Sequence, residues 1–101
     1  MIKEANPEDV KMAISNGKVL LDVWKNGCQP CMRMNPILEK LDKENSDVLF
    51  VKINADDNLD YAINDLGVRN APTFILFEGG KEVNRATGYL SEVEMSNFIG
   101  G

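Results

Sequence analysis

The strand-length run from Lys18 to Trp24 restricts the fold more than any other stretch of this chain. It reads Lys-Val-Leu-Leu-Asp-Val-Trp, and the segment from Val19 to Val23 is apolar at every position but one. A strand with one wet face alternates polar and apolar side chains, whereas a strand covered on both faces does not need to. The run therefore predicts a central strand between two layers of helix. Directly after it comes Cys28-Gln29-Pro30-Cys31, which holds the only 2 cysteines of the chain. Beyond the pair, Cys31, Met34, Leu38 and Leu41 recur at helical spacing and predict a helix from Cys28 or Pro30 to about Glu44. Pro36 lies inside that pattern and cannot donate to the carbonyl of Met32, so a kink rather than an end is expected there.

The remaining elements follow from their punctuation. Ile2 to Ala5 reads as a short edge strand. Asn6-Pro7-Glu8-Asp9 opens a helix, with an Asn cap, Pro at the first helical position and acids in the first turn. Val10, Ala13 and Ile14 share its apolar face, and Asn16-Gly17 stops it. Val48 to Asn54 is a second long strand. Asp57 or Asn58 is expected to cap a short helix through Leu66, closed by Gly67. Thr73 to Glu78 and Glu82 to Thr87 are strands joined by the hairpin signal Gly79-Gly80. Ser91-Glu92-Val93-Glu94 is a capping box for a last helix ending near Gly100-Gly101. The order predicts an α/β fold with a central mixed sheet of 4–5 strands and helices on both faces. The early strands should be parallel and the last antiparallel.

Composition bounds the function. A chain of 101 residues with 44% apolar and 27% charged side chains is expected to fold as one globular domain. Its net charge of −5 leaves no basic stripe to neutralise phosphates, which argues against nucleic-acid binding. The apolar runs are too short to span a bilayer. No basic start followed by an apolar core is visible in residues 1–20, so a cytoplasmic location is expected, although a trimmed secreted chain would read the same. There is no histidine, so the commonest general base and metal ligand is missing.

A thiol pair at this spacing reads as redox chemistry. A disulfide between Cys28 and Cys31 would close a very small loop, which restricts the unfolded chain little, so it is a poor staple. Structural zinc, the main chemical rival, needs four ligands, and one cysteine pair without histidine does not supply them. Placed at a helix N-terminus, Cys28 would have its thiolate favoured by unpaired N–H groups and by the helix dipole. It could then attack a partner disulfide, and Cys31, one turn later and on the buried face, could attack the mixed disulfide and release the partner.

Six other positions need a reading. Asp22 interrupts the apolar strand. Buried, its pKa would rise and it could exchange a proton with Cys31; otherwise it is an edge aspartate facing water. Lys52 lies in Val51-Lys52-Ile53 and either pairs with Asp22 or faces solvent. Pro72, in Ala71-Pro72-Thr73, opens a strand, and base rates alone predict a trans bond before it. Met34 belongs to the buried stripe, while Met32 points away and suits an adaptable contact surface. Trp24 reads by default as core.

Together these residues resemble the thioredoxin family. The landmarks are Asp22-Val23-Trp24, Cys28-Gln29-Pro30-Cys31, Pro36, Lys52-Ile53-Asn54-Ala55-Asp56, Ala71-Pro72-Thr73 and Gly88, in matching order over nearly the whole chain. The resemblance implies a thiol-disulfide oxidoreductase that reduces protein disulfides, with Cys28 as exposed nucleophile, Cys31 as resolving thiol, Asp22 as buried proton-transfer acid and Lys52 near it. It implies a cis bond before Pro72, reversing the residue-level expectation, and a docking surface of Gly27, Gln29, Pro30, Ala71, Pro72 and Gly88 beside Met32. No cofactor is implied beyond the reversible Cys28–Cys31 disulfide. Partners would be disulfide-containing proteins and a thioredoxin-reductase-type donor or small thiol, with the chain acting as a monomer.

The family pattern departs at two positions. Trp-Cys-Gly-Pro-Cys is usual, whereas this chain reads Gly27-Cys28-Gln29-Pro30-Cys31. A large flat contact surface is lost and an amide is gained at the mouth of the site. Partner choice is therefore the property most altered. Retained Pro30 points, by analogy, to a reducing role. Two other readings remain: a binding module or assembly subunit with little turnover, and a net oxidant or isomerase in an exported setting.

Overall fold

A computed structural model describes residues 2–100 of the chain. The elements in order are β1 (Lys3–Glu4), α1 (Pro7–Ala13), β2 (Lys18–Trp24), α2 (Gln29–Glu44), β3 (Val48–Asn54), β4 (Thr73–Glu78), β5 (Lys81–Thr87) and α3 (Glu92–Gly100), with a tightened turn at Asp56–Asn58 and a widened one at Tyr61–Asp65 between β3 and β4. The 5 strands form one sheet in the order β1-β3-β2-β4-β5. β1 and β2 both run parallel to β3, β4 is antiparallel to β2, and β5 is antiparallel to β4.

The apolar run does what its pattern demands. Val19, Leu21 and Val23 face one side of the sheet and pack with Val10 of α1 and with Tyr61, Ala62, Leu66 and Val68. Leu20 faces the other side and packs with Met34, Leu38 and Leu41 of α2, Met95 and Ile99 of α3, and Phe74 of β4. Period-2 alternation puts Asp22 on this second face, under α2. The stripe Cys31, Met34, Leu38, Leu41 is buried throughout, and α2 continues through Pro36.

Capping chemistry sets the helix ends. Asp9 N–H donates to the Asn6 Oδ1 at 2.8 Å and Pro7 occupies the first turn. At α3, Glu94 N–H donates to Ser91 Oγ at 3.1 Å while Ser91 N–H donates to Glu94 Oε1 at 2.9 Å, the reciprocal box read from the sequence. The expected end of that helix at Gly100-Gly101 falls partly outside the described residues.

Three expectations need correction. The helix before β4 is not capped by Asp57 or Asn58. It starts at Asp56, because Asn54 at the end of β3 turns its Oδ1 to accept from the N–H of Asp56 at 2.8 Å and of Asp57 at 3.4 Å. Strand β1 is shorter than read, although Ala5 N–H still donates to the Lys52 carbonyl at 2.7 Å. The Ala71–Pro72 bond is cis, against the base rate and in line with the resemblance. The hairpin holds as read: Gly79 and Gly80 take φ of 58° and 84°, a region open to glycine that matches the twist of a two-residue hairpin.

Phe74 is fully buried beside Asp22 in the β2–β4 register. Phe74→Ala should cost about 3–5 kcal/mol in urea unfolding; a loss under ~1 kcal/mol would show that this face of the sheet is not the tightly packed floor described here.

Candidate active site

The cysteines sit where β2 gives way to α2. Cys28 and Cys31 are joined by a disulfide with a Cα–Cα distance of 5.2 Å. Cys28 is the N-cap residue of α2, in extended backbone, and its Sγ accepts from the Cys31 N–H at 3.2 Å. That sulfur thus occupies the place of a capping oxygen, at the positive end of the helix dipole and facing an otherwise unpaired donor. No acidic side chain lies in the first turn to oppose a negative charge there. Cys28 is half-buried and Cys31 is 3% exposed, so the two sulfurs differ in access.

The loop before them is braced from β3. Asn26 N–H donates to Asp56 Oδ2 at 2.9 Å, and Asn54 Nδ2 donates to Asn26 Oδ1 at 3.0 Å. Gly27 follows with φ of 64°. That conformation is costly for any residue with a Cβ, so the glycine answers to the backbone and not only to the absence of a side chain.

Asp22 is 2% exposed, and neither carboxylate oxygen has a hydrogen-bond partner. Burial pushes its pKa from 3.8 up to about 7; the Lys52 ammonium pulls the other way and Glu4 adds to the rise. Desolvation wins because the ammonium is near but not bonded. In register, Asp22 lies opposite Lys52 on one side and Phe74 on the other. Lys52 Nζ donates instead to Asn35 Oδ1 at 3.0 Å and lies 5.6 Å from the centre of the Trp24 ring. Trp24 in turn donates its Nε1–H to Glu4, at 3.0 and 3.1 Å to the two oxygens. Trp24, Cys31, Met32, Asn35 and Lys52 line a small cavity of about 90 Å³. The default reading of Trp24 as core is therefore corrected: it is half-buried and walls this cavity.

The second loop at this end of the sheet carries the remaining candidates. Thr73 is level with Val23 and with Thr87, which puts Pro72 and Gly88 at the carboxyl end of β2. Gly88 N–H donates to the Pro72 carbonyl at 2.8 Å. Pro72 is buried, Ala71 and Gly88 are half-buried, and Gly27, Gln29 and Pro30 are exposed. Met32 is 60% and Tyr89 48% exposed, apolar surface flanking the two loops. Sequence reasoning missed Asn26, Asn35, Asn54 and Glu4. The first three are polar residues that a sequence leaves free to face water; only the Asn and Asp cluster after each central strand hinted at a brace. Among the described residues no three acidic, Cys or His side chains converge to hold a metal ion, and no helix is long and apolar enough to cross a membrane.

Comparison with known proteins agrees with this geometry. The family model described as Thioredoxin matches residues 1–100. A thioredoxin of Chlamydia caviae is 42% identical over 99 residues, covering 98% of this chain and 96% of that protein. A thioredoxin of Bacillus subtilis is 36% identical over 99 residues, covering 97% and 94%. The crystal structure of oxidised mitochondrial thioredoxin 3 from Saccharomyces cerevisiae superposes with a TM-score of 0.88 at 30% identity, covering 98% of this chain and 93% of that one.

The Asp22 pKa carries a stability signature. Its folded value of about 7 lies above the unfolded 3.8, so the folded chain holds the proton longer. The protonated form stabilises fully below pH 4, and that stability is lost as pH rises through about 7. Above pH 8 the buried charge should cost roughly 4 kcal/mol. Asp22→Asn should flatten this pH dependence in denaturant titrations, gaining most over the parent above pH 7; an unchanged slope would mean that Asp22 is not buried as a charge.

Proposed function

The chain belongs to the thioredoxin family and is a thiol-disulfide oxidoreductase with a redox-active Cys28–Cys31 disulfide, and we propose that Cys28 is its nucleophile, Cys31 its resolving thiol and Asp22 the proton carrier between resolution and solvent. The Cys28 thiolate attacks one sulfur of a target disulfide. A mixed disulfide forms and one target thiolate leaves. Cys31 gives its proton to the Asp22 carboxylate, and its thiolate attacks Cys28 Sγ. The Cys28–Cys31 bond forms and the second target thiolate leaves. The pair has lost two electrons, the target has gained them, and the target thiolates take up protons from water and from Asp22.

The observation that carries this reading is the Cys31 N–H donated to Cys28 Sγ at a helix N-terminus. A donor aimed at one sulfur favours charge on that sulfur and makes it the better nucleophile at neutral pH and the better leaving group when the pair is re-reduced. The burial of Cys31 and the unpartnered carboxylate of Asp22 on the same face support the other two roles. Lys52 modulates Asp22 by its charge.

Electrons come from a thioredoxin-reductase-type protein or a small thiol. Targets are proteins with accessible disulfides, docked over Gly27, Gln29 and Pro30 on one loop and over Ala71, Pro72 and Gly88 on the other. Gly27 removes bulk ahead of the nucleophile and Gln29 adds an exposed amide donor and acceptor, so the Gly-Cys-Gln-Pro-Cys variant selects targets by hydrogen bonding more than by stacking. Residues 1–101 act as one domain and as a monomer, in a reducing cytoplasm where a dithiol of this kind is kept charged with electrons.

The reduced protein should accelerate reduction of insulin disulfides over free dithiothreitol. Cys31→Ser should accumulate mixed disulfides through Cys28, seen as reducible adducts on gels, and Cys28→Ser should accumulate none and fall to background rate. Equal adduct formation by both variants would contradict the assignment.

A further inference from the structure

We propose that Asn35 is a positioning residue for the proton-transfer step: its side-chain oxygen holds the Lys52 ammonium at the mouth of the Cys31 cavity and so keeps it off Asp22. The proposal rests on the reading that Asp22 exchanges a proton with Cys31.

Neighbouring strands lie about 4.8 Å apart, and residues level with each other in the ladder project from the same face. Lys52 and Asp22 are such a pair, on the face covered by α2. A four-carbon lysine stem is long enough to turn back onto a carboxylate at that range, and a buried carboxylate without partners is the strongest acceptor near it. Yet both Asp22 oxygens are bare. The ammonium is claimed elsewhere, by Asn35 Oδ1 at 3.0 Å and by the Trp24 ring at 5.6 Å. Asn35 lies four residues after Cys31, on the same face of α2. The helix that carries the resolving thiol therefore also carries the anchor, and both line the same cavity with Lys52.

The consequence is electrostatic. An ammonium bonded to Asp22 would favour the carboxylate and make it a weaker base, less able to take the Cys31 proton. An ammonium held at the cavity mouth leaves burial dominant, with the Asp22 pKa pushed up to about 7. The other groups facing Asp22 do not replace this control. Glu4 from β1 carries a negative charge and is bonded to Trp24, β4 presents the uncharged Phe74, and Cys31 from α2 is in the disulfide.

The test is a carboxyl NMR titration of Asp22 in the oxidised protein. Asn35 is exposed on a helix, so Asn35→Ala should fold, with higher helix propensity. Asn35→Ala should lower the Asp22 midpoint by roughly one pH unit, and Asn35→Gln, which keeps an acceptor, should restore much of it. In a Lys52→Met background Asn35→Ala should have no effect. An unchanged or raised midpoint in Asn35→Ala overturns the proposal, and so does an equal drop with Lys52→Met present, since the effect would then not pass through the ammonium. Failure of the underlying reading shows separately, as a resolution rate unchanged in Asp22→Asn.

Discussion

The structure depends on the burial of β2 on both faces. A strand flanked by β3 and β4 and covered by helices above and below has only its ends to offer to solvent. Its carboxyl end is where α2 must start, so the first turn of α2 is delivered to that end of the sheet with N–H groups that need partners from outside the helix ladder. Cys28 takes the cap position there and Cys31 the first buried position of the stripe. Sulfur chemistry is thus placed by the same packing that makes the core, and the inequality of the two thiols is a consequence of one lying before the helix and the other beneath it.

The same burial produces Asp22. In a strand with no wet face, a carboxylate under a helix loses water from both oxygens. The Lys52 ammonium offsets this only in part; it makes no hydrogen bond to Asp22 and donates to Asn35 instead. The direction of the pKa shift decides which influence is stronger: desolvation outweighs the attraction of Lys52. A fold selected only for stability would do better with an apolar side chain at this position. The cost makes sense under the proposed role, in which this carboxyl exchanges a proton with Cys31 near neutral pH.

Periodicity made much of this visible beforehand. The run at Val19–Val23 and the stripe Cys31, Met34, Leu38, Leu41 report burial directly, and burial decides the layers. The caps at Asn6 and Ser91 are local, so they read correctly from a few neighbours. The start of the helical segment after β3 did not, because the side-chain oxygen that takes its first N–H groups belongs to Asn54, the last residue of a strand, which serves both elements. Trp24 misled because an aromatic side chain at a strand end is usually core, and only its two partners, Glu4 and Lys52, reveal it as a wall of the site. The cis bond before Pro72 has no local signature and was reached through the resemblance alone. Asn35 was illegible for a similar reason: a polar residue on a helix declares its partner only once β3 is placed beneath it.

The central claim is that one helix N-terminus divides the labour between two thiols. The direct measurement is the pH dependence of alkylation in the fully reduced protein, with the modified site located by mass spectrometry. Cys28 should react first, with an apparent pKa well below the ordinary thiol value of about 8.5, while Cys31 stays protected until the protein is unfolded. Equal labelling of Cys28 and Cys31, both titrating near about 8.5, would contradict the account.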